Sequence, residues 1–180
     1  MISVTQALSP FIDWSGISPE RLEHAGQRGT KIHSYNAAYL LGLWLPKIEP
    51  ECQGYFDSFR YFADARIDQV IAVEREVTCN CYGYIGHLDF VGSLKGEIGV
   101  AVLDWKSPIV EGKTWCAQLA AYKHAYECET KETVARIGSV MLDPNGKPAK
   151  MVDYKNSAND FAAFLAALTA VKYFKKGGNI

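Results

Sequence analysis

The 180 residues suit one domain, at roughly 150 residues per domain, spanning 1–180; a chain of this length buries about 70% of its unfolded surface without disulfide or metal staples. Nineteen Lys and Arg against twenty Asp and Glu leave a formal charge of -1, which excludes a polyanion binder working by bulk charge. Apolar residues at 48% and charged residues at 22% exclude a chain too polar to form a core.

Ser18-Pro19-Glu20 reads as an N-cap followed by Pro at the first helical position, and the helix is predicted to run to about Leu45, before Pro46. A second helical segment spans about 53–65. The period then changes: 69–77, 84–92 and 99–105 are β-rich runs separated by Asn80-Cys81-Tyr82-Gly83 and Lys95-Gly96-Glu97 turns. A helix is predicted over 115–126, strands over 134–142 and 151–154 around Pro144-Asn145-Gly146, and a closing amphipathic helix over 159–175. This order gives an α/β fold with helices packed on a sheet; both chain ends read as loose. No stretch approaches 18 apolar residues, and Met1-Ile-Ser-Val-Thr-Gln6 has no basic region followed by an apolar one. A cytoplasmic chain outside the membrane is the expectation, in keeping with five scattered cysteines, an odd number that does not suit a disulfide framework.

Three stretches concentrate chemistry: Gly86-His-Leu-Asp89, Asp104-Trp-Lys106 and Gln118-Leu-Ala-Ala-Tyr122. Residues two apart on a strand share a face, so Asp104 and Lys106 project together where the apolar run Gly99–Leu103 emerges. Asp89 stands next to Asp104 if the hairpin turns at Lys95-Gly96-Glu97. Adjacent carboxylates repel unless a cation lies between them, and hard oxygen ligands suit Mg²⁺ or Mn²⁺. Gln118 and Tyr122 share a helix face, as do Gly29 and His33; Gly29 would let the first helix approach a strand closely, and His33 would offer a ring nitrogen to the same cation.

Gly29-Thr-Lys-Ile-His33, followed by these three stretches in this order, resembles the RecB-like exonuclease branch of the PD-(D/E)XK nuclease superfamily, which includes small phage-type, CRISPR-associated and mitochondrial single-strand exonucleases. The likeness covers about 28–126. It implies a restriction-endonuclease-like αβββαβ core with a mixed central sheet flanked by helices, and DNA phosphodiester cleavage dependent on Mg²⁺ or Mn²⁺. Carried onto this sequence, it implies His33, Asp89, Asp104 and the Trp105 carbonyl as metal ligands, Lys106 as catalytic lysine, Gln118 and Tyr122 as its supporting pair, and Glu74 or Glu76 as an additional acid. Arg28, Lys31, Lys113 and Lys123 are candidates for flanking DNA contacts, with Tyr and Trp side chains available to stack on unpaired bases. The chain lacks the downstream cysteine cluster of iron-sulfur relatives, so no such cluster is expected, and Ser107-Pro108 stands where many relatives show Thr-Ser.

The function implied is a metal-dependent exonuclease preferring free-ended single-stranded DNA, in phage-type recombination or DNA degradation, in the cytoplasm of a bacterial host, with a single-strand-binding or recombination protein as partner. The rival readings are a structure-selective endonuclease and a catalytically silent nuclease-fold module that binds DNA or protein. Cys79-Asn-Cys81 with His87 lacks the second ligand pair of a structural zinc site, and Cys116 lies too far along the helix from His124 to form a dyad. Neither is expected to act, and His24, His87 and His124 carry no assigned role.

Overall fold

The computed structural model describes residues 1–108 and 110–176. In chain order the elements are β1 (Ile2–Ser3), α1 (Val4–Leu8), a 3₁₀ turn (Ser9–Phe11), α2 (Pro19–Leu40), α3 (Pro50–Arg66), β2 (Ile67–Cys79), β3 (Tyr84–Leu94), β4 (Val100–Lys106), α4 (Trp115–Thr130), β5 (Val134–Met141), β6 (Lys150–Asp153) and α5 (Ser157–Lys176). The fold is α/β: a mixed six-stranded sheet flanked by helices, ordered β1-β3-β4-β5-β6 with β2 also paired to β3. The β2–β3, β3–β4 and β5–β6 pairs are antiparallel, while β1–β3 and β4–β5 are parallel.

Apolar residues divide between the two faces. Leu88 and Val102 pack with Leu119, Ala121 and Tyr126 of α4, Phe164 of α5 and Val4 of α1. Phe90, Leu103 and Trp105 pack with Ile32 and Tyr35 of α2 and Phe56, Phe59 and Phe62 of α3. Ala101, Val102 and Leu103 are all buried, so β4 is covered on both sides, as its unbroken apolar run predicts.

Two expectations are corrected. The helix starting at Ser18 stops at Leu40 rather than Leu45, because Gly42 takes a left-handed φ of 63°. Gly42 N–H then donates to Tyr39 O and Leu43 N–H to Ala38 O, closing the helix end well before Pro46. The N-terminus is not loose: Ile2 and Ser3 pair with Tyr84 and Ile85, and Val4 and Ala7 are fully buried. The signal was present as Ser3-x-x-Gln6, a reciprocal capping box in which each side chain accepts from the other residue's backbone N–H.

Candidate active site

The β3–β4 ladder runs through Val91↔Val102 to Phe90↔Leu103, and the next step brings Asp89 beside Asp104. β3 changes face there. Leu88 and Val91, three apart, both pack toward α4, whereas Phe90 packs toward α3, so one residue of alternation slips at Asp89. Opposite this point, between the pairs Val73↔Phe90 and Arg75↔Leu88, Glu74 adopts φ 49°. A non-glycine residue in the left-handed region is strained, and such positions cluster at functional sites. The distortion turns Glu74 and Asp89 toward His33 of α2.

Beyond Leu103 the backbone groups of Trp105 on the β3 side are taken by side chains. Asp89 Oδ2 accepts from Trp105 N–H at 2.7 Å, and His33 Nε2 lies 3.1 Å from Trp105 O. His33 Nδ1 lies 3.3 Å from Asp89 Oδ1 and 3.6 Å from Glu74 Oε1. One atom each from His33, Glu74 and Asp89 falls within 4.8 Å of the others. Burial by itself would depress the imidazole's pKa; the charge of Asp89 and hydrogen bonds donated by the ring to Asp89 and Glu74 outweigh it and raise it to about 11. Without an ion the protonated ring offsets these acids; a bound cation would take the place of the proton on the coordinating nitrogen.

Asp104 and Lys106 project from β4 toward α4. Lys106 Nζ lies 2.6 Å from Asp104 Oδ2 and 5.3 Å from the centre of the Trp115 ring. Gln118 joins the pair: its Oε1 accepts from Lys106 Nζ at 3.1 Å, and its Nε2 donates to Asp104 Oδ1 at 3.1 Å and to Tyr122 Oη at 3.0 Å. Both amide protons and the amide oxygen have partners, so the side chain has one satisfactory orientation. Asp104 is 2% exposed, and burial first, then the charge of Asp89, push its pKa up against the pull of Lys106. Tyr122 is raised by burial and by Asp104, which keeps the phenol neutral. Gly86 makes room for that ring: a Cβ there would lie 2.7 Å from Tyr122 Cδ1.

The fit to a hard divalent cation rests on three observations. At metal–oxygen distances of about 2.0–2.1 Å, adjacent octahedral ligands stand about 3 Å apart, so His33 Nε2 and Trp105 O, hydrogen-bond partners at 3.1 Å, would not have to separate for an ion that displaces the proton between them. The donors are carboxylates, a carbonyl and an imidazole, a set suited to Mg²⁺ or Mn²⁺. Asp104 Oδ2 is buried without a directed hydrogen bond; its contact with Lys106 is an ion pair off the hydrogen-bonding direction, leaving acceptor capacity for an ion.

Other predicted residues lie differently. Glu76 pairs with His87 in the ladder, and it is Glu74 that meets His33. Gly29 touches no strand, since a Cβ there would find nothing within 4 Å; with Gly26, Thr30, His33, Ser34, Ala37 and Glu74 it lines an open groove of about 440 Å³. That lining holds no Phe, Tyr or Trp, so it supplies none of the expected stacking. Lys31 pairs with Glu49 and Glu51, Arg28 lies over the Tyr55 ring, and Lys123 donates to Val134 O beside Glu127. Lys113 is exposed. A second group of metal-ligand side chains, Cys79, His124 and Cys128, was missed. Its signal was His124-x₃-Cys128, one face of a helix, but the partner pair 45 residues away could be assigned only from the tertiary fold. His87, considered with the Cys79 pair, is exposed.

No protein-family model and no curated protein matches the chain. Among the described residues no helix is long and apolar enough to cross a membrane.

Proposed function

We propose that the chain is a metal-dependent deoxyribonuclease of the RecB-like PD-(D/E)XK type, hydrolysing phosphodiester bonds from free DNA ends, single strands first, in the bacterial cytoplasm as part of phage-type recombination or DNA degradation. The observation that carries this reading is the convergence of His33, Glu74, Asp89, Asp104, Lys106 and Gln118 at the end of one buried strand. Its support includes the order of the elements, with α2 and α3 followed by three antiparallel strands, α4 and the parallel strand β5, an order compatible with a restriction-endonuclease-like core.

His33, Asp89, Asp104 and the Trp105 carbonyl would hold a Mg²⁺ or Mn²⁺ ion, with Glu74 as a further acid. When bound, such an ion supplies Lewis-acid polarisation of a phosphate oxygen and a lowered pKa for a coordinated water. Lys106 provides a fixed ammonium able to orient that water or offset charge developing on the phosphate. Gln118 holds Lys106 and Asp104 at a set separation, and neutral Tyr122 holds Gln118. The groove past Gly26 and Gly29 lets a DNA backbone come close to α2 beside His33.

The test is digestion of end-labelled linear DNA and covalently closed circles with Mg²⁺, Mn²⁺ or chelator. Free-ended strands should be degraded only with metal, and circles should resist. Rapid nicking of circles would replace the exonuclease with an endonuclease, and no cleavage under any condition would leave a silent binding module. Lys106→Ala should abolish cleavage while leaving metal and DNA binding in place, because Lys106 acts on the transition state. Wild-type turnover by that variant would remove Lys106 from the chemistry.

A further inference from the structure

Away from the carboxylate cluster, the β2–β3 hairpin meets helix α4 through sulfur and nitrogen ligands. Cys79 ends β2, Cys81 sits in the turn to β3, and His124 and Cys128 occupy one face of α4. Cys79 Sγ and Cys128 Sγ each lie 3.7 Å from His124 Nδ1, and Cys81 Sγ lies 3.2 Å from Cys79 Sγ. None of the three cysteines is in a disulfide.

We propose that Cys79, Cys81, His124 and Cys128 form a Cys₃His site for one structural zinc ion, which pins the hairpin turn to α4. The spacing supports a mononuclear site. With Zn–S of about 2.3 Å and Zn–N of about 2.0 Å, tetrahedral ligands stand about 3.5–3.8 Å apart. The two thiol-to-imidazole distances match this; Cys81, which touches Cys79 but lies outside the 4.8 Å group of the other three, would complete the set by turning its side chain toward them. A cubane iron-sulfur cluster binds each thiolate to a different iron and so holds its ligands farther apart than the 4.8 Å that encloses Cys79, His124 and Cys128. Soft thiolates also select against Mg²⁺ and Mn²⁺, so this site and the carboxylate site would not compete for one ion.

The imidazole is held for this role. It stacks on Phe161 at 4.1 Å with 15° between the planes and meets the edge of Tyr82 at 5.4 Å. Tyr84 Oη, 3.3 Å from Nδ1, gives its proton to Ala121 O, so with Nε2 protonated the Nδ1 lone pair remains for an ion. The turn is held as well: Lys172 Nζ donates to Tyr82 O, and Gly83 N–H to Cys79 O. Cys79 is fully buried whereas Cys81 is exposed, which gives an ion a path from solvent through the Cys81 side.

The inference is independent of nuclease activity, and so is its test. Full-length protein, stripped with chelator under reductant, is titrated with Co²⁺ alone and then with Zn²⁺. One equivalent of Co²⁺ should produce thiolate-to-metal charge transfer and the intense d–d bands of a tetrahedral site, and one equivalent of Zn²⁺ should bleach them. The Cys81→Ser/Cys128→Ser variant should lose these bands and Cys116→Ser should keep them. Wild-type protein supplies a readout that does not depend on the double variant folding: Zn²⁺ should protect Cys79, Cys81 and Cys128, but not Cys116, from alkylation mapped by mass spectrometry. Absence of tetrahedral bands together with absence of protection overturns the site. So does an iron-sulfur chromophore in the purified protein, or a disulfide among these cysteines that persists in reductant.

Discussion

Gly86→Ala tests whether the glycine of the Gly86–Asp89 stretch is there to seat Tyr122. The added methyl would stand 2.7 and 2.8 Å from Tyr122 Cδ1 and Cε1 and 3.4 Å from Val77 Cγ2. Favourable carbon contacts lie at about 3.5–4.0 Å, so the ring must retreat by about 1 Å. Tyr122 is 3% exposed, and a retreat of that size lengthens the 3.0 Å bond from Gln118 Nε2 beyond hydrogen-bond range. Overpacking costs about 1–3 kcal/mol and the lost buried hydrogen bond about 1 kcal/mol. For a chain of this size each kcal/mol lowers Tm by about 2–4 °C, so the variant should melt about 5–15 °C below wild type. A double-mutant cycle isolates the contact: in a Tyr122→Ala background the ring is gone, and Gly86→Ala should cost almost nothing. Urea denaturation of the four proteins should give a coupling equal to that whole cost, about 2–4 kcal/mol. Additive effects, or a wild-type Tm for Gly86→Ala, would refute the steric account.

Asp104 gives a pH signature: its folded pKa is raised from 3.8 to about 6, so the native state binds its proton more tightly than the unfolded state. Its contribution is fully present below 3.8 and lost as pH rises through about 6, a difference of about 3 kcal/mol. Asp104→Asn should therefore gain stability over wild type at pH 8 relative to pH 4 in metal-free urea melts; an equal difference at both pH values would contradict the raised pKa. Asp89→Asn should lose Mn²⁺ affinity in calorimetric titration, and unchanged binding would move the ion elsewhere. A chain of net charge -1 grips DNA through a local patch, so log Kd against log salt, measured by fluorescence anisotropy, should give a slope of only a few phosphates; a slope near ten would call for a far larger basic surface.

The elements were legible where period and punctuation agree. The unbroken run Gly99–Leu103 announced a strand buried on both faces, and Gly96 takes the φ of 74° that the turn at Lys95-Gly96-Glu97 requires. The end of α2 was misread because Pro46 is the louder stop signal, while Gly42 acts first through a backbone conformation that sequence does not display. Within the site, two-residue spacing was enough to aim Asp104 and Lys106 at one another, and four-residue spacing was enough to place Gln118 over Tyr122. The choice between Glu74 and Glu76 was not legible. Regular alternation puts both on one face, and the decision comes from a strained residue in β2 opposite a slip in β3. The meeting of Cys79 with His124 and Cys128 was hidden for another reason: it depends on how the hairpin packs across α4, which no local pattern encodes.

The same slip explains why the residues around Trp105 form a site rather than continue the sheet. On its β5 edge, β4 stays paired as far as Lys106↔Met141, and Lys106 O accepts from Leu142 N–H, so the strand is held straight along that side. On its β3 edge the ladder ends at Phe90↔Leu103, leaving the N–H and C=O of Trp105 to be satisfied in a buried place. Asp89 takes the N–H and His33 faces the C=O. A strand anchored on one edge and released on the other thus turns ordinary ladder groups into a rigid platform for side chains. The Trp105 ring, packed among Phe59, Phe62 and Phe90, fixes that platform from the opposite face. Asp104 and Lys106, its neighbours in sequence, are thereby aimed together toward Gln118 without any need for a shaped loop.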